Sequence, residues 1–171
     1  MRFSIATLAR AILGPPPKLV CSSATWREGA AELNRRTGGH RESGAFLLGL
    51  RQGETRQIVA FLYYDDVDPT CFRHGIVEFD GRKLGQVWRV CQDRGLMVVA
   101  DIHVHPAGYG QSGSDKANPM IAEAGHIALI LPNYATGAPA PGAIGIFEYR
   151  GNRQWLDHSR QGRRIFKLSW W

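Results

Sequence analysis

The strongest constraint on this chain is the apolar run Leu96–Val104, which ends in Asp101-Ile102-His103-Val104-His105-Pro106. Its composition predicts a strand of the core. Successive strand side chains alternate between faces, so His103 and His105 point to the same side. Two imidazoles at that spacing can chelate one small cation. Neutral imidazole suits zinc, and a catalytic zinc commonly takes three protein ligands and leaves a fourth position for water. The third ligand is expected to be Asp115, which follows His105 after nine intervening residues. That stretch contains Ala107, Gly108, Gly110, Ser112 and Gly113, small and turn-forming residues that let it fold back. Ser112 and Asp115 also form an S-x-x-D pair. Such a pair caps a helix, worth about 1 kcal/mol, and presents a hydroxyl and a carboxylate together at the helix start.

The rest of the chain supplies a frame for this segment. Thr25-Trp26-Arg27-Glu28 reads as a capping box opening a helix with Trp26, Ala30 and Leu33 on its apolar stripe, ended by Gly38-Gly39. Strands are expected at Gly44–Leu50, Gln57–Tyr64, Gly75–Phe79, Ile127–Leu131, Ala143–Tyr149 and Ile165–Trp170. Asp80 is expected to cap a helix to about Arg94, with Leu84, Val87, Trp88 and Cys91 on one side, and Ser114 to Ala124 to form another helix. Strands interleaved with two or three helices give an α/β (α+β) class, a mixed sheet sandwiched by helices. With no internal linker or repeat, residues 1–171 read as one domain, of which 1–17 are an N-terminal element and a proline linker.

Twenty-one basic against fifteen acidic residues give a net charge of +6, which favours acidic partners. The charge is scattered apart from Arg160, Arg163 and Arg164, read as a solvated face. Cys21, Cys71 and Cys91 are odd in number and lack a CxxC pair, which argues for a reducing compartment, the cytoplasm, and against a cysteine-held metal. Arg10 interrupts the apolar start and Pro15, Pro16 and Pro17 follow it, so no export signal is expected. No apolar run reaches the roughly 20 residues of a membrane span. His126 reads as a buried, hydrogen-bonded residue; His40, His74 and His158 read as surface residues.

The HxHP and SxxD elements resemble the JAMM motif of the JAB/MPN metallopeptidases, in which an upstream glutamate precedes them. That glutamate opens a strand in an E-x-x-G-x-L-x-G pattern, to which Glu42-Ser43-Gly44-Ala45-Phe46-Leu47-Leu48-Gly49 is similar. The resemblance covers about Glu42 to Leu131. It departs from the family in having Val104, not Ser or Thr, between the histidines, and nine residues, not ten, before the aspartate. It implies a JAB/MPN-like fold, one zinc on His103, His105 and Asp115, Glu42 as general base and Ser112 as hydrogen-bond donor to the oxyanion.

The resemblance further implies hydrolysis of the peptide or isopeptide bond after the C-terminus of a ubiquitin-like modifier, with the modifier and its conjugates as partners. GHIALILPNYA is similar to the bacterial branch of the family. Three other readings share the motif: a peptidase acting on a sulfur-carrier protein or other peptides, a RadC-like nucleic-acid-associated protein, and a scaffold without metal. The chain lacks the aromatic-interleaved basic stripe that nucleic-acid binding favours. It also keeps all five motif residues, which a scaffold need not. Neither a nucleic acid nor a membrane is therefore expected as partner.

Overall fold

The computed structural model describes residues 15–170 of the chain; the N-terminal element expected before Pro15 lies outside them. The first strand, β1 (Leu19–Ser22), runs directly into helix α1 (Ser23–Thr37). Ser22 has extended backbone angles, so its side chain reaches forward and accepts a hydrogen bond from the Thr25 N–H at 3.0 Å. The cap is therefore Ser22, and the capping box expected at Thr25 is corrected by one turn. Gly38 ends the helix at φ 56°, a left-handed conformation that suits glycine.

The remaining strands are β2 (Gly44–Gln52), β3 (Thr55–Tyr63), β4 (Met97–Val104), β5 (Ile127–Leu131), β6 (Gly145–Gly151), β7 (Gln154–Asp157) and β8 (Phe166–Ser169). They form one mixed sheet in the order β7-β6-β5-β4-β2-β3-β1-β8. Short helices α2 (Tyr64–Val67), α4 (Gly113–Ala117) and α5 (Gly162–Ile165) join them, and α3 (Leu84–Arg94) is the second long helix. The architecture is α+β with helices on both faces of the sheet. On one face α1 buries Trp26, Ala30 and Leu33 against Leu19, Ile58, Ile102, Leu129 and Phe166. On the other, Val87 and Cys91 of α3 close over Phe46, Leu48, Tyr64 and Phe72.

Three further local expectations are corrected. Residues 75–79 form no strand: they open on a bend with Gly75 at φ 83°, and their backbone bonds go to Glu42, Cys71 and Phe72 instead of a ladder. The helix expected to reach Ala124 stops at Ala117, because Asn118 precedes Pro119 and leaves the helical region at φ −125°, ψ 71°. Trp88 is 45% exposed, on the rim of a cleft and not in the core. The edge strand β7 and the strand β1 carry too few residues for periodicity to reveal them. Cys21, Cys71 and Cys91 are all buried and free, and burial pushes the Cys21 and Cys71 thiols up to about 12, which makes them inert. Among the described residues no helix is long and apolar enough to cross a membrane.

The sheet curls strongly. Four strands lie between β1 and β6, so a flat sheet at about 4.8 Å per strand would hold them roughly 24 Å apart. Yet Lys18, at the head of β1, meets Glu148 of β6 at 2.6 Å. Glu148 is buried and also receives Arg150 at 3.0 Å and His158 at 2.8 Å, so His158 is a partner of the interior and not a surface residue. Burial opposes ionisation of Glu148, but Lys18, His158 and Arg150 outweigh it and hold the carboxyl at about 2 instead of 4.5. A depressed carboxyl stabilises the fold fully above its unfolded pKa and loses that contribution as pH falls. A difference of this size corresponds to about 3 kcal/mol, lost between roughly pH 4.5 and pH 2. Glu148→Gln is expected to remove that part of the acid dependence of the urea midpoint; an unchanged slope over this range would contradict the assignment.

Candidate metal centre

Strand alternation and sheet register together build the site. Val104 is fully buried in the α1-side core, which turns His103 and His105 to the opposite face. His105 lies one residue past β4 but remains extended, since its N–H donates to Leu131 at 2.9 Å. β2 runs antiparallel to β4 with Gly44 opposite His103, and the Val104 N–H donates to the Ser43 carbonyl at 2.9 Å. Continuing that register places Glu42 opposite His105. Gly44 must be glycine, because a Cβ there would meet the Tyr64 ring and the Ile102 carbonyl. Ser43 fixes the start of the strand by donating its hydroxyl proton to the Leu33 carbonyl of α1 at 2.7 Å.

The nine-residue stretch then returns Asp115 to the histidines. Ser112 and Asp115 form a reciprocal capping box at the start of α4: the Asp115 N–H donates to Ser112 Oγ at 3.1 Å, and the Ser112 N–H donates to Asp115 Oδ2 at 2.6 Å. The carboxylate is thereby oriented from behind. Ser112 is exposed, and among the described residues its hydroxyl donates to no protein group.

The three donors converge. His103 Nε2 and His105 Nε2 are 3.0 Å apart, Asp115 Oδ1 is 3.4 Å from the first and Oδ2 is 3.4 Å from the second. All the ligand atoms lie within 4.8 Å of one another. Zinc at about 2.0–2.1 Å from tetrahedral donors requires donor separations of about 3.3 Å, so both the donor set and its spacing fit that ion. The electrostatics of the group couple the two histidines to the carboxylate. Burial alone would lower the His103 imidazole, but the adjoining Asp115 carboxylate outweighs it and the net shift is upward. Burial would raise Asp115, yet the two histidines hold it well below the usual carboxylate range. The carboxylate is therefore ionised at neutral pH and available as a ligand.

Glu42 approaches the histidines from just before β2. Its Oε1 is 3.8 Å from His105 Nε2, while Oε2 accepts the Val77 N–H at 2.9 Å and the Glu42 N–H donates to Gly75 at 2.9 Å. One carboxylate oxygen is thus held by backbone and the other faces the histidines. The segment that supplies Val77 is itself anchored by buried Asp68, which accepts from Lys83 at 2.7 Å, from the Thr70 hydroxyl at 2.8 Å and from the Asp80 N–H at 3.1 Å.

Sequence reasoning missed a second polar group beside the site. Asp101, two residues before His103, is buried and accepts from His126 Nε2 at 2.7 Å and from the Tyr64 hydroxyl at 3.3 Å. His126 is thus a satisfied buried histidine, as expected. The available signal was Asp101 itself, a carboxylate inside an apolar strand, which requires buried partners.

A cleft of about 740 Å³ opens onto His103 and Asp115, with Val77, Phe79, Leu84, Trp88 and Trp155 among its walls. No family model matches the chain. Among solved structures the chain is similar to a protein from Desulfitobacterium hafniense, with a TM-score of 0.63 at 18% identity over 88% of this chain and 94% of that one. It is also similar to a protein from Salinibacter ruber, with a TM-score of 0.53 at 18% identity over 80% and 86%. At such identities the likeness is one of fold.

Proposed function

We propose that the chain is a zinc-dependent peptidase of the JAB/MPN type that hydrolyses the peptide or isopeptide bond after the C-terminal residue of a ubiquitin-like modifier. The observation that carries this reading is the convergence of His103, His105 and Asp115 within metal-ligand spacing, with the Glu42 carboxylate facing them from β2. Bound there, zinc would acidify a water from a pKa of 15.7 to about 7 and polarise the scissile carbonyl.

The protein's own groups supply the proton chemistry and positioning. Glu42 Oε1 accepts the proton of the attacking water, and the same atom delivers it to the leaving amine. Its fixed partner, Oε2 on the Val77 N–H, keeps the carboxylate from rotating between these steps. The Ser112 hydroxyl donates a hydrogen bond to the developing oxyanion. The capping box holds Asp115 and Ser112 as a single unit, so both are set by one helix start.

The modifier is supported by the shape of the approach. The cleft beside the ligands has apolar and aromatic walls, suited to an extended, glycine-ended tail that leads to a folded body outside. The test is hydrolysis of a linear fusion between a ubiquitin-like modifier and a reporter protein, with the zinc-loaded chain and with a chelated sample. Cleavage after the modifier's last residue, lost on chelation and restored by zinc, is expected. Cleavage at scattered peptide sites would indicate a general peptidase, and no cleavage with zinc bound would remove the enzymatic reading for this substrate.

A further inference from the structure

The metal cleft does not end at Asp115. Gln111 and Trp155 line it and also line a second groove of about 680 Å³. That groove has Tyr109, Phe147 and Trp155 as its aromatic surface and Lys116 and Arg153 as its cations.

The Trp155 ring and the backbone that carries Tyr109 are fixed in advance. Trp155 lies against Tyr149 with ring centroids 4.9 Å apart, and its indole N–H donates to the Lys116 carbonyl at 3.2 Å. The Tyr109 carbonyl approaches Gly145 so closely that any Cβ there would clash, which seats the loop on β6. Tyr109 nevertheless leaves 42% of its surface in solvent. An aromatic side chain held in place, as Trp155 is, loses little freedom on binding, which is what an anchoring surface requires.

The two cations are unpaired. Lys116 and Arg153 are exposed, and neither forms an ion pair among the described residues. Asp157 also lines the groove, accepting the Ser159 N–H at 2.8 Å, so the charged lining is two cations and one carboxylate, a net positive charge. Arg153 also occupies the second left-handed position of the β6–β7 turn, at φ 60° after Asn152 at φ 51°, where glycine would be the relaxed choice. A long cation is kept at a strained position, on the rim of this groove.

From these observations we infer that the groove binds an acidic segment of the protein substrate, with an apolar side chain seated among Tyr109, Phe147 and Trp155 and carboxylates facing Lys116 and Arg153. Its place on a substrate rests on the peptidase reading; its ligand chemistry does not.

The probe is a fluorescent twelve-residue peptide of Asp, Glu and Ser with one central Phe, titrated into the full chain, alongside a version with Lys in place of each acid. The acidic peptide is expected to bind saturably and the lysine version not to bind. K116E/R153E should weaken binding by about tenfold or more, with an unchanged melting temperature. R153E alone, distant in sequence from the metal ligands, should show part of that loss. Equal binding by the charge-reversed variant, or displacement of the peptide by a single-stranded RNA oligonucleotide at lower concentration, overturns the inference. Peptide binding with the expected charge dependence but no cleavage of the modifier fusion would leave the groove standing and remove the peptidase reading. Cleavage without charge-dependent peptide binding would do the reverse.

Discussion

Glu42→Gln leaves the chain folded and able to hold zinc while turnover of the modifier fusion falls by about 10²–10⁴-fold, the usual contribution of a general base. Glutamine keeps the shape of the side chain, and its carbonyl oxygen can still accept the Val77 N–H that Oε2 accepts in the native protein. What disappears is the basic character of Oε1, which lies 3.8 Å from His105 Nε2. Zinc content and melting temperature therefore separate this outcome from misfolding. Wild-type turnover in the variant would remove Glu42 from the proton-transfer role.

His105→Ala acts on the other half of the site. Its ring nitrogen is one of three converging donors, and two remaining donors do not make the three-ligand set of a catalytic zinc site. Zinc measured per chain, after purification without added metal, is expected to fall from about one to near zero. The fold should survive. The backbone of His105 keeps its bonds to Leu131 and Tyr134, and the side chain belongs to neither hydrophobic core. Full zinc occupancy in this variant would refute the ligand assignment.

The particular residues show how much was legible beforehand. HxH in an apolar strand fixed the common face of His103 and His105, because a period of two leaves no other choice once Val104 is buried. Ser112 and Asp115 announced a helix start by residue type alone, and the capping box is present. The length of that helix was misjudged, since the apolar residues after Ala117 serve the wall of the cleft and Pro119 prevents continuation. Trp88 misled for a related reason: helical spacing places it beside Val87 and Cys91 but cannot say whether anything covers it.

By itself the sequence determined which side chains are candidate donors, the face on which two of them stand and the local geometry that presents the third. These depend on neighbours within a few residues along the chain. Only the tertiary structure decided that β2 pairs antiparallel with β4 with Gly44 opposite His103, and this register carries Glu42 to His105 across 63 positions of sequence. It also decided that Tyr64, Asp101 and His126 share one buried cluster, and that the metal cleft continues past Trp155 into a second groove. Strand pairing is a competition among all exposed edges of the chain. It is settled by which cores can be buried together, and no local pattern encodes that outcome.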